Sequence, residues 1–262
     1  MSTNPAHVAL LGVDRTFGTH TVLHEVDIEI DPGEVVALLG SSGSGKSTRL
    51  RLIAGLDRPT EGRIEIDGEA ARRIDTRCAM VFQEPRLLPW RSLAANVAFG
   101  LPAGTERTKG SPAVRHWLNV VGLGEFGNHY PRQVSGGMAQ RAGLARALAR
   151  RPGVLLLDEP LASLDALTRL RMRDLLDTVQ QEAGTTTVLV THDVDEAVIL
   201  ADRVLVLRAD ATGAAGIAAT YDVTIPKPRD RGDPRISVLR DRLLDELGVP
   251  RRASASEEEA KA

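Results

Sequence analysis

Gly40-Ser41-Ser42-Gly43-Ser44-Gly45-Lys46-Ser47 fits the pattern G-x-x-x-x-G-K-[ST] at every fixed position. The apolar run Val35-Val36-Ala37-Leu38-Leu39 stands before it and reads as a buried strand. Residues 47–54 follow and can wind as a helix, with Thr48 in its first turn. A strand that passes through a Gly-rich turn into a helix is the setting that confirms a phosphate loop. Backbone N–H groups of the turn and of the helix N-terminus converge on an anion. The glycines admit backbone angles and a close approach that a side chain would block. Lys46 is expected to reach β- and γ-phosphates, and the Ser47 hydroxyl to ligate Mg²⁺.

Working outward, Val154-Leu155-Leu156-Leu157-Asp158 is an apolar strand that ends in a carboxylate. In a phosphate-loop protein such an aspartate can hold the Mg²⁺, and Glu159 beside it stands where a general base could polarise a water. Ser135-Gly136-Gly137-Met138 opens a helix, which makes a second anion-binding terminus by the dipole argument. Gln83 follows the apolar run Cys78-Ala79-Met80-Val81-Phe82, and His192 closes another in Val190-Thr191-His192. Taken singly, each has a plainer reading. Asp158 and Glu159 could merely close a strand, Ser-Gly-Gly could be an ordinary helix cap, Gln83 a surface amide and His192 a structural imidazole.

The rest of the chain supplies the frame. Strands are expected at 8–13 and 22–30, with Phe17-Gly18 in the turn between them, and at 63–67, 78–82, 154–157, 187–191 and 203–207. Helices are expected at 93–99, 112–121, 137–149, 165–182, 194–200 and 236–247. Residues 210–219 read as a loop and 254–262 as a frayed acidic end. Strands alternating with helices mean an α/β fold with a mainly parallel sheet covered on both faces.

The 262 residues carry a net charge of −2 with acids and bases interspersed, and few aromatics, so no nucleic-acid partner is expected. The lone Cys78 sits in an apolar run and reads as a small core residue. No positively charged N-terminus leading into an apolar segment is present, so no signal peptide is expected. No apolar run has the length to span a bilayer.

In order, the phosphate loop, Gln83, Ser135-Gly136-Gly137, Asp158-Glu159, Ser163-Leu164-Asp165 and His192 resemble the ATP-binding subunit of ABC transporters, over about residues 6–210. That resemblance implies an ABC-type phosphate-loop fold, with a mainly parallel sheet core, an N-terminal antiparallel β subdomain and an inserted α-helical subdomain. The core would be 6–83 and 151–210, the insertion about 84–150, and 211–262 a tail with a short helix.

The resemblance also implies roles. ATP would be held by Gly40, Ser41, Ser42, Gly43, Ser44, Gly45, Lys46, Ser47 and Thr48, with Phe17 stacked on adenine and Gln83 sensing the Mg²⁺ that Ser47 and Asp158 ligate. Ser135, Gly136, Gly137 and Met138 would form the signature motif that closes on the ATP of a second subunit. Asp165 would lie in the D-loop, with Glu159 as the base and His192 at the γ-phosphate. Arg49 departs from the family pattern, which has an apolar residue there.

Gln83 to Trp90, with its Leu-Leu-Pro-Trp, resembles the nitrate, sulfonate and taurine importer group. Residues 221–229 are similar to the tail of aliphatic sulfonate importer subunits. The resemblance therefore implies an ATPase that powers uptake of a small anion, most of all aliphatic sulfonates, with nitrate, taurine and pyrimidine precursors as alternatives. Its implied partners are two transmembrane permease subunits, a periplasmic or lipoprotein solute-binding protein, and a second copy of the chain upon ATP binding. It would be held by the permease at the cytoplasmic face of the inner membrane. The other classes weighed, a ribosome- or DNA-acting ABC ATPase and a phosphate-loop kinase or GTPase, lack support. The chain has no second nucleotide domain, no coiled-coil interruption, no basic face and no Asn-Lys-x-Asp segment.

Overall fold

A computed structural model describes residues 4–41, 43–209 and 213–249. Ten strands form one sheet: β1 (Val8–Phe17), β2 (His20–Ile30), β3 (Val35–Gly40), β4 (Glu61–Ile66), β5 (Glu69–Ala70), β6 (Cys78–Val81), β7 (Val154–Asp158), β8 (Thr186–Thr191), β9 (Arg203–Ala209) and β10 (Ala215–Asp222). Their order is β5-β4-β1-β2-β10-β9-β3-β8-β7-β6. Strands β9, β3, β8, β7 and β6 are mutually parallel, while β5, β4, β1 and β2 pair antiparallel. Among the described residues seven α-helices accompany them: α1 (Lys46–Ile53), α2 (Leu93–Phe99), α3 (Pro112–Val120), α4 (Gly136–Ala149), α5 (Ala166–Ala183), α6 (Val194–Leu200) and α7 (Pro234–Glu246).

β3 and β8 are buried along their whole length, as expected of parallel strands covered on both faces. Their side chains divide by period two. Val35, Ala37 and Leu39 of β3 join Leu155, Leu157 and Leu189 in the core beneath α2 to α7. Val36 and Leu38 join Val154, Leu156, Val188 and Val190 in a second core, closed by Leu50, Leu52 and Ile53 of α1 and by the apolar residues of β1, β2 and β4. Cys78 belongs to that second core, as its sequence context predicts, and burial pushes its thiol up to about 12.

The loop expected at 210–219 is corrected. Residues 210–212 lie outside the described residues, but Ala215 onwards forms β10, paired antiparallel with β9 from Ala215↔Ala209 to Asp222↔Arg203. The run Ala214-Ala215-Gly216-Ile217-Ala218-Ala219 has weak strand propensity, and its pairing shifts register between Ile217 and Ala219. The neighbouring strand dictates the conformation there. On its other side β10 meets β2 through one pair, Ala215↔Leu23, which joins the antiparallel and parallel parts into one sheet. The frayed end expected at 254–262 lies outside the described residues.

Parallel pairing brings strand ends to a common edge. Leu39 faces Thr191, Asp158 faces Val190, and Val81 faces Leu157. The residues that follow β3, β6, β7 and β8 therefore all emerge at the carboxyl edge, where open α/β sheets bind their ligands.

Candidate functional site

The loop after β3 begins at Gly40 and ends at Gly45, which stands in the left-handed region at the N-cap of α1 (φ 71°). A Cβ on Gly45 would lie 2.7 Å from Leu23 and 3.0 Å from Arg49, so both conformation and space demand glycine. The Ser44 N–H and hydroxyl both donate to the Ser41 carbonyl and draw the loop into a tight turn. The Lys46 ammonium donates to the carbonyls of Gly40 (2.8 Å) and Ser41 (2.7 Å). It carries three N–H groups, so one remains for an anion. Burial lowers the Lys46 pKa, opposed by Glu159 and then Asp158. Gly43 is exposed on the turn, and Ser47 and Thr48 are half-buried at the start of α1. Ser42 lies outside the described residues.

Ser47 Oγ donates to Asp158 Oδ1 at 2.9 Å. Two hard oxygens at the mouth of a phosphate loop suit Mg²⁺, which takes one or two protein ligands and completes its octahedron with phosphate and water. Next to Asp158, Glu159 holds a positive φ of 45°, a strained value for a non-glycine residue. Its N–H donates to the Val190 carbonyl, which fixes it against β8. Glu159 Oε2 lies 3.2 Å from His192 Nδ1.

The turn that carries His192 is fixed on both sides. Thr191 Oγ1 donates to buried Glu196 (2.7 Å) and accepts from the Asp193 N–H (2.9 Å). Asp193 caps α6 by accepting from the Asp195 and Glu196 N–H groups, and Arg173 bonds the same carboxylate. Burial raises the Glu196 pKa.

The carboxyl edge thus gathers Lys46, Ser47, Asp158, Glu159 and His192. Gln83 emerges at the same edge, exposed, two residues past Val81. The segment around it is held by α4: Gln140 donates to the Phe82 carbonyl, and Arg146 to those of Pro85 and Arg86. Phe17 ends β1, about half exposed, with the Arg15 guanidinium 4.0 Å from its ring centroid. Arg15 is locked there by two bonds to Asp57, each 2.9 Å. Val22 and Leu23 of the same hairpin press against Gly45, which sets Phe17's hairpin beside the phosphate loop.

The remaining predicted residues occupy a different place. Ser135 caps α4, its hydroxyl accepting from the Met138 N–H at 3.3 Å. Gly137 is buried, and a Cβ there would meet Thr168 at 2.7 Å. Ser135, Gly137 and Met138 line a cleft with Asn119, Thr168 and Arg171 rather than with the phosphate loop. Asp165 caps α5 by accepting from the Thr168 N–H, and Gly136 is exposed. One chain therefore presents two separate helix N-termini, at Gly45 and at Ser135.

Sequence reasoning missed several supporting residues. Arg15 gave no signal, because its partner Asp57 is remote in sequence; Arg49 stood out only as a departure from the family pattern, and its bond to Ala215 could not be read. The Asp193…Glu196 spacing is a capping pattern and could have been read.

The ABC transporter family profile matches residues 23–162. The chain is 49% identical to the aliphatic sulfonates import ATP-binding protein SsuB of Granulibacter bethesdensis, over 92% of this chain and 94% of that one. It is 46% identical to SsuB 1 of Rhizobium johnstonii, over 92% and 86% respectively. Among solved structures it resembles a dimeric ATP-binding cassette in a post-hydrolysis state bound to ADP and Pi (TM-score 0.68, 34% identity, 82% of this chain and 98% of that one). It also resembles CbiO1 of Clostridium perfringens, part of an ABC transporter complex (TM-score 0.74, 26% identity, 89% and 98%).

Proposed function

The chain belongs to the ABC transporter family, and from that footing we propose that it is the ATP-hydrolysing subunit of an importer of aliphatic sulfonates. The observation that carries the reading is the gathering of Lys46, Ser47, Asp158, Glu159 and His192 at one sheet edge. The choice of sulfonates rests on the relatives, which are sulfonate import ATP-binding proteins over most of their length.

In this reading the loop amides, the α1 N-terminus and the spare N–H of Lys46 hold the β- and γ-phosphates of ATP. Ser47 and Asp158 hold Mg²⁺, which when bound neutralises the phosphate oxygens. Glu159 accepts hydrogen-bonding protons from the attacking water and orients it in line with the γ-phosphate. His192, braced by Thr191 and Asp193, positions Glu159 and donates toward the γ-phosphate. Phe17, stiffened by Arg15, offers its free face to adenine. Gln83 senses the metal, Asp165 lies between subunits, and Ser135 with Gly136, Gly137 and Met138 closes over the ATP of a second copy. The separation of the two anion-binding termini within one chain supports such a head-to-tail dimer.

Among the described residues no helix is long and apolar enough to cross a membrane. The reading assigns the pore to two permease chains at the cytoplasmic face of the inner membrane, and solute capture to a separate binding protein.

The test is growth on an alkanesulfonate as sole sulfur source, after deletion of this chain and its restoration as wild type or Lys46→Ala. Loss on deletion and rescue by the wild type alone supports the reading. Unchanged growth refutes sulfonate as the solute, and the same strains then report on nitrate, taurine and pyrimidine precursors.

A further inference from the structure

Arg49 lies on α1, three residues beyond Lys46, and its side chain is fully buried. A buried arginine is ordinarily paired with a carboxylate. Arg49 instead spends its guanidinium on two backbone carbonyls, donating from Nη1 to Ser44 O (3.0 Å) and from Nη2 to Ala215 O (2.8 Å). Its Nε is buried without a partner. Burial lowers its pKa to about 10, so it stays a cation at neutral pH. A full positive charge is thus held in the interior, directly against a peptide of the phosphate loop, with no anion among its bonding partners.

The two bonds define what it acts on. In a planar trans peptide the C=O and N–H point in opposite directions. Fixing the Ser44 carbonyl toward the interior turns the Gly45 N–H the other way, toward the mouth of the loop. The second bond ties that peptide to Ala215, the residue through which β10 joins β2.

We propose that Arg49 is an internal positioning residue of the phosphate site: it orients the Ser44–Gly45 peptide and supplies a fixed cation whose counter-charge is the bound polyphosphate. This rests on the reading of the Gly40 to Ser47 loop as the phosphate cradle. A merely structural arginine would be indifferent to the number of phosphates on the ligand. A positioning cation would not, since its field and the amide it orients act on phosphate and not on the base.

The experiment compares ADP with adenosine, by calorimetry for the first and ligand-detected NMR for the second, on the full chain as wild type, Arg49→Met and Arg49→Lys. Arg49→Met is expected to weaken ADP about tenfold, as loss of one charge-assisted contact does, and to leave adenosine within twofold. Should Arg49→Met fail to fold, Arg49→Lys serves, since it keeps the charge but cannot reach both carbonyls; the ADP loss must then again exceed the adenosine loss. Equal losses for the two ligands, or no loss for ADP, overturn the proposal. Lys46→Ala, measured alongside, separates the two levels. If it abolishes ADP binding while Arg49→Met does nothing, only this inference fails. If Lys46→Ala also binds ADP normally, the phosphate-loop reading itself is wrong.

Discussion

Glu159 is where backbone strain and chemistry coincide. A glutamate at φ 45° stays there because the Val190 carbonyl and the turn into Leu161 over-determine it. Glutamine has the same shape and backbone preference, so Glu159→Gln should fold normally and bind ATP. It should lose hydrolysis by roughly 10²–10⁴-fold, the usual worth of a positioned general base. With ATP it should run as a stable dimer on size-exclusion chromatography. A variant that turned over normally and stayed monomeric would remove Glu159 from the role. Its identity was legible from the carboxylate pair closing an apolar strand. Its strained φ was not, because that depends on β8, some thirty residues downstream.

The elements show how indirectly a site is held. α6 is capped by Asp193, directly after His192, and its other end is gripped by Arg229. That guanidinium, almost wholly buried, donates to the carbonyls of Val198, Ile199 and Ala201 at the end of α6, and to those of Val223 and Ile225. It satisfies carbonyls that a helix leaves orphaned and places a cation at the negative end of its dipole. Each buried carbonyl deprived of a donor costs about 1–3 kcal/mol. Arg229→Met should therefore destabilise the chain by at least about 3 kcal/mol in urea unfolding. A change below about 1 kcal/mol would show that water replaces the lost donors without cost. Helix boundaries such as Leu93–Phe99 could be read from local pattern and caps. The grips of Arg229 on α6, and of Arg146 and Gln140 on the segment after Gln83, could not. They join residues 28 to 61 positions apart through backbone carbonyls that carry no sequence identity.

At the scale of the whole molecule, the phosphate loop and the Ser135 terminus do not share a cleft within one chain, and the proposed dimer makes each site from both copies. This yields a complementation test. Ser135→Arg keeps a sound phosphate loop, Lys46→Ala keeps a sound Ser135 terminus, and each variant alone should be inactive. Mixed in equal amounts with subunit exchange, half the dimers pair one of each, and each such dimer rebuilds one of its two sites. ATPase activity should return to roughly a quarter of wild type if sites act independently. No recovery in a mixture shown to exchange would exclude a shared site.

The strand order was the least legible feature at this scale. β3, β7, β8 and β9 announce themselves as apolar runs, but β10 is alanine-rich and gains its conformation only from lying between β9 and β2.

That position bears on how the protein is made. β2 spans His20–Ile30 and β9 Arg203–Ala209, yet the strand that unites them, Ala215–Asp222, is made after both. Between the making of β2 and that of β10, then, the nascent chain carries an open β2 edge in what will become the middle of its sheet, the kind of surface that invites pairing with other chains. Arg49 likewise has no Ala215 carbonyl to bond until that strand arrives. The protein is therefore exposed to misassociation until β10 is made, and its nucleotide site is not complete before then.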